Sequence, residues 1–263
     1  MGRRLRLTPV YGGRSPRSTE KPGRVTRTFL TAEWRYLAML NYEVDPSVLR
    51  PSLPKGAQLD DHDGRRFVSL VGFLFLDTHV LSLPAFFHQH FEEVNLRFYV
   101  RRVVEEEPRA GVVFIREMVP LPLVSEVAKL TYNEPYRSVP MQHTLVETNG
   151  ELQSVEYQFG GPRDQCRLAL HVDGAVQSMR VGSTEEFLSE RKWGYTRQRD
   201  GGTIEYRVDH ARWNVWPDAR WELEGALGEF YDEPFASILT EAPASAFVAD
   251  GSQVAVHLPE RIA

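Results

Sequence analysis

The segment from residue 65 to residue 81, RRFVSLVGFLFLDTHVL, constrains the fold more than any other part of the sequence. Its apolar side chains fall on both faces of a strand with a two-residue repeat. One face carries Phe67, Val71, Phe73 and Phe75, and the other carries Val68, Leu70, Leu74 and Leu76. Such a strand is stable only where other structure covers both of its faces. The sequence therefore predicts a layered domain with this strand near its centre.

The remaining segments read mostly as strands joined by short turns, with about nine strands and about four helices. After its first 27 residues the chain of 263 residues has no linker rich in Pro, Gly or Ser, and no internal repeat. We therefore predict a single α+β domain over residues 28–263, an antiparallel sheet curled into a β-barrel with a few peripheral helices. The clearest helix is expected in residues 183–194, where Ser183 and Glu186 form a capping box and Gly194 ends the segment.

Residues 1–27 carry eight Lys and Arg side chains and a single acid. A segment so rich in Gly, Pro and Arg cannot bury enough apolar surface to order itself, and we predict a disordered basic tail. The alternative is an arm that binds nucleic acid or acidic lipid. No apolar segment follows the arginines, so a secretory signal is not expected. No window of about 18 apolar residues exists that would span a membrane.

Cys166 is the one cysteine of the chain, which excludes an internal disulfide and a CxxC metal motif. This cysteine usage predicts a cytoplasmic protein. As a partner we expect a small-molecule ligand and no membrane, and nucleic acid only under the alternative interpretation of the tail. Pairing of subunits through an apolar strand edge, which would give a homo-oligomer, stays open.

The stretch FFHQHFEE, residues 86–93, places two histidines and two glutamates close together. On a continuous strand His88, His90 and Glu92 would point the same way, as ligands of zinc or iron must. A proline and two phenylalanines just before them instead favour a loop that leads into a strand. We favour the loop and expect no metal and no cofactor. The P-loop, GxGxxG, GxSxG and HExxH signatures are also absent from the sequence.

The strand that follows alternates strictly, with an apolar row at Val94, Leu96, Phe98 and Val100 and a polar row at Glu93, Asn95 and Arg97. On an open sheet the polar row would face solvent. In a closed barrel it would line a polar pocket, because one face of every strand points inward. A carboxylate beside a guanidinium could there recognise a small polar ligand or transfer a proton. The sequence leaves both interpretations open.

Residues 34–60, WRYLAMLNYEVDPSVLRPSLPKGAQLD, resemble the opening of acetoacetate decarboxylases at Arg35, Tyr42, Asp45, Leu49 and Pro54. The segments FVSLVGFLFLDT, FEEVNLRFYVRR, GVVFIREMVP and LTYNEPY resemble the YqjF-like family, uncharacterised bacterial proteins of the acetoacetate decarboxylase-like superfamily. The likeness covers about residues 29–258. It implies a curled antiparallel β-barrel with helices outside it and a central cavity.

The enzyme of that superfamily uses a Schiff-base lysine beside a second lysine in a Pro-Lys-Lys loop. The matching loop, TYNEPYRSVP, contains no lysine, and Glu134 and Pro135 stand about where the pair would be. Lys129, the nearest lysine, is expected to be a solvated partner of Glu126 one helical turn away. We therefore do not expect decarboxylation by the Schiff-base route.

The resemblance implies that Arg35 is the active-site arginine, which would hold an anion, and Glu93 is our candidate for the pocket glutamate. The rim or floor of the pocket would be formed by Tyr132, Asn133, Glu134 and Tyr136. Each has an alternative without function: Arg35 could form a salt bridge at a barrel end, the NEP sequence could be a turn, and Tyr136 could be a packing residue.

The sequence thus predicts a protein that binds a small oxo- or carboxylic compound in a barrel cavity. Catalysis, if present, would use Arg35, Glu93 and Glu134, and substrate binding would use Asn95, Arg97, Tyr132, Asn133 and Tyr136. Two alternatives stay open: a binding protein without catalysis, and an interaction module that uses its basic tail.

Overall fold

The structure, a computed structural model, describes residues 27–81, 83–84 and 89–263. The predicted tail therefore lies, up to residue 26, outside the described residues, as does His88. The strands are β1 Thr28–Glu43, β2 Gln58–Leu59, β3 Phe67–Val80, β4 Leu83–Pro84, β5 Phe91–Val104, β6 Glu107–Val119, β7 Tyr136–Ser138, β8 Met141–Thr148, β9 Glu151–Phe159, β10 Cys166–His171, β11 Gln177–Ser178, β12 Trp193–Arg197, β13 Thr203–His210, β14 Asn214–Trp216, β15 Arg220–Gly225, β16 Ser245–His257 and β17 Glu260–Arg261. The α-helices are α1 Pro46–Leu49, α2 Pro122–Tyr132, α3 Thr184–Ser189 and α4 Phe235–Ile238, and two 3₁₀ turns span Arg50–Ser52 and Leu227–Glu229.

Seven of these strands form a closed barrel in the order β16, β1, β3, β5, β6, β12, β13, and the last pairs with the first. The predicted barrel in a single α+β domain is confirmed. Every barrel pairing is antiparallel except that between β6 and β12. About seventy residues separate those two strands, which gives the chain the long connection that parallel neighbours require. The barrel is therefore mixed rather than purely antiparallel.

A second sheet, in the order β15, β10, β9, β8, packs on the outside of the barrel wall. Its Tyr157 and Leu168 are completely buried against β3 and β5. The approach is closest at Gly72, where an added Cβ would lie 2.5 Å from Cδ2 of Tyr157. The predicted burial of both faces of β3 is confirmed, because one face looks into the barrel and the other contacts this sheet.

Capping residues explain the end of α2 and the start of α3. Helix α2 ends at Tyr132 and is capped by Asn133, which adopts a left-handed conformation with φ of 56°. Ser183 caps α3 by accepting the backbone N–H of Glu186, as predicted. The helix ends at Ser189, however, and not at Gly194, which lies in β12 where a Cβ would collide with the ring of Tyr206. At 11 residues α2 is the longest described helix, and none of the described helices could cross a membrane.

Candidate functional site

The barrel encloses a cavity of about 370 Å³ that is open at one end beneath α2. Most of its wall is aromatic or aliphatic, as expected of a small-molecule site. The apolar part includes Phe29, Leu30, Trp34, Leu37, Phe73, Phe75, Val80, Phe91, Val112, Phe114, Leu123, Val124, Val127, Ala128, Trp193, Val208 and Val256. Against this background a small group of ionisable side chains stands out.

Strand β5 supplies three of the polar groups. Glu93, Asn95 and Arg97 all line the cavity and are at most 7% exposed, so the polar row faces the barrel interior and not solvent. The Asn95 amide donates a hydrogen bond of 2.9 Å from Nδ2 to Oε1 of Glu93. The Tyr136 hydroxyl donates another, of 3.0 Å, to Oε2 of the same carboxyl group. Both Glu93 oxygens are therefore held in fixed positions.

Glu117 enters the same cavity from β6 through a break in the strand register. Val112 and Phe114 point inward, and strict alternation would turn Glu117 to the outside. A β-bulge between the pairs Leu96–Arg116 and Arg97–Phe114 reverses the alternation, and Glu117 becomes a buried cavity residue. Sequence reasoning missed Glu117. The available signal was a single acid, next to Arg116, in the otherwise apolar segment GVVFIREMV of residues 111–119.

Glu134 completes the group from the segment that joins α2 to β7. Its carboxylate accepts hydrogen bonds from the hydroxyl of Tyr206 and, at 3.3 Å, from that of Thr196. Glu134 is 6% exposed and lines the cavity together with Tyr132 and Tyr136. Three carboxyl groups, of Glu93, Glu117 and Glu134, thus share one enclosed space.

Burial makes these carboxyl groups hard to ionise. It raises the pKa of Glu93 to about 7, although hydrogen bonds from Asn95 and Tyr136 and the charge of Arg97 act in the opposite direction. Burial also raises the pKa of Glu134 to about 7. The pKa of Glu117 rises well above its usual range, first because of burial and then because of the negative charges of Glu134 and Glu93. At neutral pH the cavity therefore holds both proton donors and proton acceptors.

Arg97 is a buried cation with few partners. Its Nη2 donates to the carbonyl oxygen of Leu188 at 3.3 Å, and its Nε has no partner among the described residues. No described carboxylate forms a salt bridge with it. The neighbouring Arg191 differs, because its Nη1 lies 2.5 Å from Oδ2 of Asp60. A buried guanidinium without an ion pair is suited to receive an anionic ligand.

Two predicted site residues lie outside the cavity. Arg35 was expected to project into the barrel, but it is about one-third exposed and pairs with Glu33, with 3.0 Å between Nε and Oε2. Trp34 takes the inward position, and a bulge at Tyr36, where φ is 54°, reverses the alternation so that Leu37 is the next inward residue. Arg35 therefore remains on the outer face.

Asn133 is the second predicted site residue that lies outside the cavity. It caps α2, and its side chain donates to the carbonyl oxygen of Arg197 at 3.0 Å and accepts from Nε of Arg199 at 3.2 Å. The other predicted residues do line the cavity: Glu93, Asn95, Arg97, Tyr132, Glu134 and Tyr136.

The described histidine and glutamate side chains of residues 86–93 have different surroundings. Glu92 points away from Glu93, and its Oε1 lies 2.6 Å from Nδ1 of His143 on the barrel exterior. His90 accepts the backbone N–H of Asp77 at 3.3 Å. Over the described residues, which exclude His88, no three His, Cys, Asp or Glu side chains are grouped so that they could hold a metal ion.

The lysines of the described chain also avoid the cavity, and none is among its lining residues. Lys129 forms the expected contact with Glu126 at the surface, with 2.8 Å between Nζ and Oε1.

Several solved structures share this fold. Acetoacetate decarboxylase from Legionella pneumophila superposes with a TM-score of 0.63 at 12% identity, covering 94% of this chain and 93% of that one. An acetoacetate decarboxylase-like enzyme from Sphingomonas wittichii RW1 gives 0.61 at 13% identity, covering 96% and 100%. The enduracididine biosynthesis enzyme MppR, complexed with the condensation product of pyruvate and imidazole 4-carboxaldehyde, gives 0.61 at 12% identity, covering 96% and 98%. At these identities the likeness establishes the fold alone.

No curated protein matches the sequence. One family model does, over residues 31–253, which include all or most of each barrel strand and the three cavity acids. The chain belongs to the DUF2071 family, described as an uncharacterized conserved protein, and its fold is that of the acetoacetate decarboxylase-like proteins.

Proposed function

We propose that this protein binds a small oxo- or carboxylic acid in the barrel cavity and moves a proton at the carbon beside the oxo group. The observation that carries the proposal is the enclosure of three carboxyl groups, Glu93, Glu117 and Glu134, in one largely apolar cavity. Burial of carboxyl groups that form no salt bridge lowers stability, so such a cluster is typical of a functional site.

The roles follow from the contacts. Arg97 binds the ligand carboxylate, because it is the buried cation without an ion pair. Glu93, which can ionise near neutral pH, takes the proton from carbon. Glu134, when protonated, donates a hydrogen bond or a proton to the oxo oxygen, while the hydroxyl of Tyr206 donates to Oε1 of Glu134. The product is the enol of the bound acid, and the proton returns when the enol reverts.

The proposal does not use a Schiff base. It is supported by the position of the described lysines outside the cavity wall. MppR has been solved in complex with pyruvate, and that ligand is the reason that we place oxo acids first among the candidates.

Proton exchange at carbon tests the proposal directly. We expect the protein to replace the C3 protons of 2-oxobutyrate by deuterium in D₂O, followed by loss of their NMR signal. Glu93→Gln should slow this exchange by about 10²–10⁴-fold, the range for removal of a general base. Glu92→Gln is the matched control, because the neighbouring carboxylate lies on the other face of the strand and should leave the rate unchanged.

Three other outcomes of these experiments would change the proposal. Thermal stabilisation by 2-oxobutyrate without exchange would replace the proposal by a binding protein without catalysis. Covalent trapping of the ligand on a lysine after borohydride reduction would contradict it and restore the Schiff-base route. Equal exchange by wild-type protein and Glu93→Gln would remove Glu93 from its assigned role.

A further inference from the structure

The cavity has two unlike ends, and the register of β5 identifies them. Phe91 pairs with Phe75 at the end where α2 lies, whereas Arg97 pairs with Ser69 at the opposite end. Six residue-to-residue steps along the strand lead from Phe91 to Arg97, a span of about 20 Å between Cα atoms. The carboxyl groups of Glu93 and Glu117 lie between these two ends.

The end beneath α2 is apolar and open. Leu123 and Val127 line the cavity and also reach solvent, with exposures of 61% and 37%. Phe29, Val80 and Val256 line the cavity at the same end, because the neighbouring Leu30 pairs with both valines. The polar residues near this end are Thr78, which carries no charge, and Tyr132, whose hydroxyl donates to the carbonyl oxygen of His257 at 3.1 Å. A ligand entering this way therefore has its apolar part at the mouth and its charged part at Arg97.

The cavity is larger than a four-carbon oxo acid requires. A volume of about 370 Å³ lies in the range of about 300–1,000 Å³ that is usual for sites of drug-sized ligands. A four-carbon oxo acid has only seven non-hydrogen atoms. An eight-carbon oxo acid has eleven and fills more of such a site.

We infer that the ligand is an elongated oxo acid whose carboxylate lies at Arg97, whose oxo group lies among the three glutamates, and whose apolar tail of about four to six carbons lies at the α2 end. The inference rests on the proposed function and adds to it the class of ligand. The tail contacts Phe75 and Phe91 inside the barrel and Val124 and Ala128 on α2.

Calorimetric titration with pyruvate, 2-oxobutyrate, 2-oxohexanoate and 2-oxooctanoate tests the inference. Burial of each added methylene should tighten binding by up to about fourfold. We expect 2-oxooctanoate to bind at least about a hundredfold more tightly than pyruvate. Octan-1-ol, which has the tail without the acid head, should bind more weakly than 2-oxooctanoate.

A variant at the tail end provides the second test. Ala128→Leu fills space beneath α2 with a good helix former, and we expect it to reduce the ratio of 2-oxooctanoate affinity to pyruvate affinity by at least about tenfold. Ala175→Leu, the same change in an exposed loop, should leave that ratio as in the wild-type protein.

The outcomes separate the inference from the proposed function. Equal affinities along the series, together with proton exchange on 2-oxobutyrate, would overturn the inference and leave the proposed function intact. Octan-1-ol binding as tightly as 2-oxooctanoate would overturn the placement of the head at Arg97. The absence of both binding and exchange throughout the series would overturn the two together.

Discussion

The two faces of strand β5 differ in what they meet, although both are buried. Val94, Leu96 and Phe98 are fully buried against the second sheet, and we call this row the packed face. Glu93, Asn95 and Arg97 are almost as inaccessible, but they border a cavity, and we call this row the cavity face. A single strand thus separates a filled apolar layer from a hollow chamber that holds a few buried polar groups.

This difference shows that the polar row of an amphipathic strand need not be its solvent side. The packed face gains free energy from apolar burial and close contact. The cavity face loses free energy, because its carboxyl group, its amide and its guanidinium are desolvated without full compensation. The outer layer stabilises the barrel while the inner face keeps its polar groups available to a ligand.

The largest effect should come from a truncation on the packed face. Phe98→Ala removes a fully buried ring and should lower the free energy of unfolding by about 3–5 kcal/mol. Phe114→Ala, at the half-buried cavity wall, should cost about half as much or less, because that ring already borders empty space. Urea unfolding of both variants measures the difference, and equal losses would mean that the barrel interior is filled rather than hollow.

The next effect concerns ligand binding on the cavity face. Arg97→Gln should weaken the binding of 2-oxo acids by about 10- to 100-fold, the cost of losing a hydrogen bond to a charged group. Arg35→Gln should change the same dissociation constant less than about twofold, because Arg35 lies on the outer face. Calorimetric titration measures both, and a larger effect of Arg35→Gln would restore Arg35 as the anion-binding residue.

A smaller effect should appear in the pH dependence of stability. Because the pKa of Glu117 is raised in the folded protein, the folded state keeps a proton that the unfolded chain releases above about pH 4–5. This contribution is fully present below that pH and is lost as the pH rises. Glu117→Gln should therefore increase Tm at pH 8 by about 2–8 °C and change it little near pH 4.

Melting curves of the wild-type protein and Glu117→Gln across this pH range provide the measurement. Glu126→Gln is a suitable control, since that carboxylate is exposed on α2. Parallel pH curves for the wild-type protein and Glu117→Gln would indicate that the Glu117 carboxyl ionises as readily as an exposed one.

The smallest effect is expected on the outer face of the barrel wall. Glu33→Gln breaks the partly exposed ion pair with Arg35 and should change the free energy of unfolding by less than about 1 kcal/mol. Urea unfolding in low and high salt checks this, and a loss comparable with that of Phe98→Ala would show that this outer pair is part of the core.

Much of the fold could be predicted from local patterns. Apolar side chains on both faces of β3 indicated cover on both sides, and the cap at Ser183 fixed the start of α3. The end of α3 was predicted too late, because Gly194 is required for close contact with Tyr206 in β12 and not for a helix end. Such a contact between distant segments leaves no local signal.

The site could be predicted only in part, because contacts between distant segments leave no local signal there either. Strict alternation placed Glu93, Asn95 and Arg97 on one face correctly but omitted Glu117, and the resemblance to acetoacetate decarboxylases placed Arg35 in the site incorrectly. Both errors arise at β-bulges, one at Tyr36 and one in β6, where a single extra residue reverses the inward and outward sides.

The sequence by itself determined the strand pattern, the apolar rows that must be covered, and the polar row of β5, because these depend on spacing between near neighbours. Only the tertiary structure decided that the polar row faces inward, since that depends on closure between β13 and β16 and on the second sheet outside the wall. Closure of the barrel brings together residues that are far apart in the chain, and a bulge decides which of them point inward. For this reason the meeting of Glu93, Glu117 and Glu134 in one cavity belongs to the fold and to no single segment.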